Sequence, residues 1–246
     1  MIADLSRVPD GIAEKDVLGV VVVGSSARGY TDQFSDRDLE VIVEDDAYRG
    51  IDLGLRIQRI DNDEMLLVPK SDWLSKANSS RDIDHWPYER CKILHDPVGL
   101  IERELPQIVQ MPPSIRDSRV QLHLFEFEFE CVRMPTLLAR GDELNCRSSA
   151  SFVVHALTST LFVAAHRWPP SPHWLTEELE SLSSSPHPWK DWCLSLLQLP
   201  SKDLCTVMRR ALIEHLAGEG VSDLATRSCM VSGYDFRKAR ERWGRL

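Results

Sequence analysis

The sequence predicts an α+β protein: a mixed sheet with flanking helices over residues 1–111, then an all-helical domain over residues 112–246. Three observations predict it. Val17–Val23 is a valine-rich apolar run closed by Gly24, the pattern of a strand buried on both faces. Beyond residue 113 the apolar residues recur instead at three- and four-residue spacing, the helical period. Between the two regimes stands Met111-Pro112-Pro113, where proline removes N–H donors and restricts its neighbours.

The elements follow in order. Val17–Val23 is the first strand and Leu39–Val43 the second. Ile51–Ile60 reads as a third, with Leu53, Leu55 and Ile57 alternating against polar or small neighbours. The turn residues Asp61-Asn62-Asp63 separate it from a fourth, Glu64–Val68. Lys92–Leu94 adds a short edge strand before Asp96-Pro97, and a helix begins at Val98. The second domain offers helices at Ile115–Leu138, Arg147–Arg167, His173–Leu182, Trp189–Leu197 and Lys202–Leu216. Within the first of these, Phe125–Glu130 alternates Phe and Glu, a strand pattern by period alone. As a helix, Leu124, Phe127, Cys131, Met134 and Leu138 make one apolar stripe, with His123, Glu126, Glu130 and Arg133 on a polar face. The helical neighbours decide for helix.

Composition narrows the function classes. Apolar content of 43% and charged content of 27% are those of an ordinary soluble protein. A formal net charge of −9 offers no attraction to a nucleic-acid backbone, so no nucleic-acid partner is expected, and it is compatible with a cationic small substrate. Cys91, Cys131, Cys146, Cys193, Cys205 and Cys229 form no CxxC pair and no zinc-ligand spacing. Reduced thiols and no readable leader give a cytoplasmic expectation. Phe152–Ala165, broken by His155, Thr158, Ser159 and Thr160, is too short and polar to span a bilayer, so no membrane partner is expected.

The chemistry concentrates in residues 20–43. The buried run ends in Gly24-Ser25-Ser26-Ala27-Arg28-Gly29, and Ser35-Asp36-Arg37-Asp38-Leu39 follows. Gly24 lets the chain leave the strand sharply and leaves room for a phosphate. Ser25 and Ser26 offer hydroxyls, and N–H groups at a helix start favour anions. Arg28 either adds charge toward a triphosphate or pairs with a neighbouring acid. In an extended strand, residues i and i+2 share a face, so Asp36 and Asp38 aim two carboxylates at one spot while Leu39 and Val41 turn into the core. Paired hard oxygens beside a phosphate loop are magnesium ligands suited to moving a nucleotide.

Gly24-Ser25-x-Ala27-Arg28-Gly29 followed by Ser35-Asp36-x-Asp38-Leu39 resembles the nucleotidyltransferase superfamily defined by DNA polymerase beta. Within it, the pattern is most similar to small bacterial aminoglycoside and lincosamide nucleotidyltransferases. The stretch His166–Leu175 is similar to an Asn-x-x-x-Pro-x-x-Lys-Trp-Leu segment of their helical domains, without its asparagine and lysine. The resemblance implies a nucleoside triphosphate, ATP, as co-substrate, two magnesium ions, and a hydroxyl of a small molecule, such as an aminoglycoside-type antibiotic, as acceptor. It also implies a third acid from an adjacent strand. Glu64 is the candidate, with Asp63 and Asp61 as rivals. Arg37 stands where the family more often carries an apolar residue, a slot from which it can salt-bridge at the domain edge. The implied metal set is therefore Asp36, Asp38 and Glu64, with Gly24, Ser25, Ser26 and Arg28 at the nucleotide.

A base for the acceptor hydroxyl would come from Glu126 and Glu130, or from Asp142 and Glu143, against the plainer reading of a solvated helix face. His155 and His166 are placed on one helical face as core or surface histidines. Trp168, Trp174, Trp189 and Trp192 read as packing residues. The Arg237–Arg242 run is basic but short and mixed. Two other outcomes share the motif: a protein-modifying nucleotidyltransferase of the toxin–antitoxin type, and a nucleotide-binding protein without catalysis.

Overall fold

β1 (Val17–Val23) is buried along its whole length because strands flank it on both sides and side chains cover both of its faces. The computed structural model describes residues 10–31, 33, 35–60, 62–182 and 187–221. The chain divides into two compact units, residues 1–110 and 111–246. In the first, β1 is joined by β2 (Arg37–Val43), β3 (Ile57–Ile60), β4 (Asp63–Pro69) and β5 (Lys92–His95), in the order β3-β4-β2-β1-β5. β2 and β4 run parallel and the other neighbours antiparallel, so the sheet is mixed. Helices α1 (Gly24–Arg28), α2 (Asp45–Arg49), α3 (Lys70–Ser75) and α4 (Leu100–Val109) follow β1, β2, β4 and β5.

Alternation along the strands splits the core in two. Val20, Val22, Leu39, Val41, Met65 and Leu67 pack on one side. Val21, Val23, Ile42 and Val68 pack on the other, against Trp73 of α3, Tyr88, and Leu100, Ile101 and Ile108 of α4. Gly19 leaves room for α4, since a Cβ there would lie 2.2 Å from the Ile101 side chain.

The third strand is shorter than predicted. Its first half is a 3₁₀ turn, Leu53–Leu55, opened by the Asp52 side chain accepting the Gly54 N–H at 2.9 Å. Leu53 is 74% exposed, so the alternation there is not a strand's. A local side-chain bond to the backbone has displaced the ladder. β2 begins two residues earlier than Leu39, at Arg37. α4 begins at Leu100 rather than Val98, after Gly99 at φ +65°, and the Asp96 carboxylate accepts the Glu102 N–H.

The second unit is helical: α5 (Pro113–Arg140), α6 (Glu143–Ala164), α7 (Leu175–Ser181), α8 (Trp189–Gln198) and α9 (Lys202–Gly218), with no strand among the described residues. Phe125–Glu130 lies inside α5. Val120, Leu124, Phe127, Met134 and Leu137 are buried at helical spacing, while Phe129 and Leu138 face outward. Burial of one stripe outweighs the local alternation. α6 ends at Ala164 and His166 sits beyond it at φ +57°, so His155 and His166 do not share a helix as predicted. Trp168 and Trp189 are buried packing residues.

Cys91, Cys131, Cys146, Cys193 and Cys205 are free, and among the described residues no helix is long and apolar enough to cross a membrane. Cys229, the Arg237–Arg242 run and Asp61 lie outside the described residues.

Candidate active site

The site grows from the end of β1. Val23 pairs with Asp38 across the β1–β2 ladder, so the next residue, Gly24, lies beside the Asp38 side chain. Gly24 has φ +68°, and a Cβ on it would stand 2.3 Å from Asp38 Oδ2. Only glycine accepts both the left-handed backbone and the close carboxylate. α1 starts here and runs five residues. It is too short for a sizeable macrodipole, but its first N–H groups have no partner inside the helix. Gly29, at φ +77°, closes it by donating to the Ser25 carbonyl, which Tyr30 N–H also reaches at 3.0 Å.

Ser25 is buried, and Ser26 donates its hydroxyl to the Asp36 carbonyl at 3.0 Å, fastening the approach to β2 onto α1. Arg28 is paired within the fold. Its side chain has no exposed surface and stacks 4.0 Å over the Trp86 ring. It donates to the Trp86 carbonyl and lies 3.9 Å from Glu89. A guanidinium buried and partnered this way holds the loop against the 3₁₀ turn Trp86–Arg90.

The carboxylates stand as follows. Asp36 is exposed in the segment just before β2, and Asp38 is half-buried inside β2. Glu64 is paired with Asp38 in the parallel β2–β4 register, which puts both side chains on one face of the sheet. Asp63 is paired with Arg37 and points to the other face. Arg37 binds it through two bonds, at 2.8 and 2.6 Å, the edge salt bridge that its position between the aspartates allowed. Glu64 is itself bonded by Arg59 at 2.7 Å. Ser35, Asp36, Arg59, Asn62, Asp63 and Glu64 are among the residues lining one open pocket of about 220 Å³, and Asp38 is not one of them.

Burial first, then the charges of Asp36, Glu64 and Glu40, push the Asp38 carboxyl above its ordinary range. Repelling carboxylates of this kind favour a shared cation, and hard oxygen donors suit magnesium. As they stand, no three His, Cys, Asp or Glu side chains among the described residues are drawn together closely enough to ligate an ion. The donor chemistry fits; the approach of Glu64 is taken up by Arg59.

Three residues around Asp38 went unread in the sequence. Glu40 lies two positions on, buried on the same face, and accepts a hydrogen bond from the Tyr88 hydroxyl. Lys76 sits 3.9 Å from its other oxygen. Burial raises the Glu40 pKa, with Lys76 and Tyr88 opposing, and the Cys91 thiol nearby is pushed up to about 11, by burial and then by Glu40. The i+2 period of a strand puts Asp38 and Glu40 on one face, and was the available signal.

Of the acids weighed as a base, Asp142 caps α6 through the Asn145 N–H at 3.0 Å, and Glu143 pairs with Arg147 at 2.9 Å. Glu130 accepts the Ser149 hydroxyl at 2.6 Å and lies 3.4 Å from Arg133, while Glu126 lies 3.3 Å from the buried His123 ring.

The chain is similar to two family models. Residues 87–175 match a domain of unknown function (DUF4037), and residues 5–118 match the nucleotidyltransferase domain. No curated protein matches it. Among solved structures, it is similar to a nucleotidyltransferase-like protein from Exiguobacterium sibiricum 255-15, at 17% identity over 88% of this chain and 73% of that one, with a TM-score of 0.45. The Gly24 turn, Asp36, Asp38 and Glu64 all fall within residues 5–118, the stretch that matches the nucleotidyltransferase domain.

Proposed function

We propose that this protein transfers a nucleoside monophosphate, AMP from ATP, to a hydroxyl of a small cytoplasmic molecule, with release of pyrophosphate. The observation that carries the reading is the pairing of Asp38 with Glu64 beside the Gly24 turn, inside the matched nucleotidyltransferase domain. Asp36, Asp38 and Glu64 would hold magnesium. Bound there, the metal neutralises triphosphate charge and lowers the pKa of the acceptor hydroxyl.

The chain's own residues do the remaining work. Gly24, having no side chain, leaves room for the Asp38 carboxylate against the turn, and the first N–H groups of α1 donate to phosphate oxygens. Ser26 keeps Asp36 in range of that loop through its bond to the Asp36 carbonyl. Arg28 fixes the far end of α1, so the donors are already placed before the nucleotide arrives.

The test incubates the full chain with ATP labelled on the α-phosphate, magnesium and a panel of aminoglycosides and lincosamides. Label on a small molecule that disappears in Asp38→Asn supports the reading. Label on protein instead makes this a protein-modifying transferase. Nucleotide binding without any transfer makes it a sensor.

A further inference from the structure

Glu64 already has a cation. Arg59 faces it across the β3–β4 pair, donates Nε–H to Oε2 at 2.7 Å, and makes an ion pair with the same oxygen through a second nitrogen. Among the described residues Glu64 is the only side chain to which Arg59 hydrogen-bonds. Its side chain is 75% exposed against 31% for Glu64, so the guanidinium reaches the carboxylate from the solvent side and can leave without disturbing the core. Glu64 and then Asp36 strengthen its charged form, and all three line the same pocket. Arg37, by contrast, is bonded to Asp63 on the other face.

We propose that Arg59 is the resident counter-cation of this pocket: it holds Glu64 while no divalent ion is bound, competes with the metal for that carboxylate, and turns to the triphosphate once displaced. This rests on the reading of Glu64 as a metal carboxylate. Two cations at one carboxylate oxygen repel each other, and an arginine cannot lose its charge to make room. It has to move. A planar guanidinium matches phosphate oxygens as well as carboxylate ones, so nucleotide supplies the partner that frees Glu64. Exposed ion pairs are weak enough for the exchange to be reversible. Metal and nucleotide binding are then coupled, each strengthening the other by the same factor.

The test is a manganese titration of the full chain, followed by the electron paramagnetic resonance of the free ion, with and without a non-hydrolysable ATP analogue. Arg59→Gln should bind manganese alone about three- to fivefold tighter than the native chain, and the gain conferred by nucleotide should shrink by a similar factor. Arg59→Lys, a cation without the fork, should fall between the two and decides the matter should the glutamine variant melt early. Manganese affinity unchanged or weakened across both variants, with the nucleotide gain intact, overturns the proposal and leaves Arg59 as a tie between strands. Glu64→Gln separates this from the underlying reading. If it binds manganese as the native chain does, Glu64 is no metal carboxylate and both fall; if it binds weakly while the Arg59 series is flat, only the counter-cation role falls.

Discussion

The Asp38 carboxylate fills the space in which a side chain on residue 24 would begin: a Cβ built on Gly24 lies 2.3 Å from Oδ2. The turn and the acid are therefore one unit. Gly24→Ala has to strain a left-handed backbone and drive the carboxylate off its position at the same time. The expected loss is about 1–2 kcal/mol from the backbone alone, read as a lower urea midpoint. Nucleotidyl transfer should fall by more than about a hundredfold, because the displaced group is Asp38 itself. Normal transfer by a folded Gly24→Ala would separate the turn from the chemistry.

Asp38 is held where a negative charge is unwelcome. A carboxyl whose folded pKa is raised stabilises the fold while protonated, and that contribution is lost as pH rises through the folded value. At neutral pH the ionised Asp38, facing Asp36, Glu64 and Glu40, works against folding. Asp38→Asn should accordingly melt roughly 1–3 °C higher at pH 7.5 while losing transfer. The gain should vanish below the ordinary carboxylate range, near pH 3.8, where both chains carry a neutral group. A lower melting temperature at pH 7.5 would mean that Asp38 is held by attractive partners instead.

How far the sequence could be read depended on distance along the chain. The Gly24 turn and the strand face of Asp38 were legible because turn chemistry and strand period act within a few residues, whereas Asp36 stands just before β2 and not in the strand as predicted. Glu64 was legible only as one of several acids in a turn. The parallel register, Asp38 with Glu64 and Arg37 with Asp63, puts the two acids on opposite faces, and a register is fixed by the whole sheet. The alternatives left for Arg28 needed Trp86, 58 residues away, to decide between them. Glu40 is not legible in the sequence because its burial depends on Tyr88 and Lys76, which reach it from the segments after β4. The overlong third strand had the opposite cause: Asp52 carried a turn signal that the neighbouring alternation outweighed.

Adjacent acids on opposite faces should fail differently. Glu64→Gln keeps its shape and loses both a charge that repels Asp38 and an exposed ion pair with Arg59, small effects of opposite sign, so stability should hold while transfer drops by more than about a hundredfold. Asp63→Asn breaks the two-bond contact with Arg37 at the start of β2. For a partly exposed pair the loss should be about 0.5–1 kcal/mol, with transfer within about threefold of native. Urea unfolding and α-phosphate label transfer on both variants check the contrast. The reverse pattern would move the third carboxylate to Asp63.

Arg28 tests whether a buried cation beside a phosphate loop serves the ligand or the fold. Its side chain is closed off from solvent, stacked on Trp86, bonded to the Trp86 carbonyl and near Glu89. Removing it leaves a cavity, a carbonyl short of a donor and a carboxylate short of its counter-charge. Arg28→Ala should thus lose about 2–4 kcal/mol, and Arg28→Lys should recover part of it by restoring the charge without the flat fork. The distinguishing readout is nucleotide affinity in Arg28→Lys at a temperature where it is fully folded. A residue that only anchors α1 leaves the Kd for the ATP analogue within about twofold, since the N–H donors of the turn keep their places. A phosphate ligand would instead lose about tenfold in affinity with little change in stability, because a charge-assisted bond to phosphate would be weakened while the packing survived.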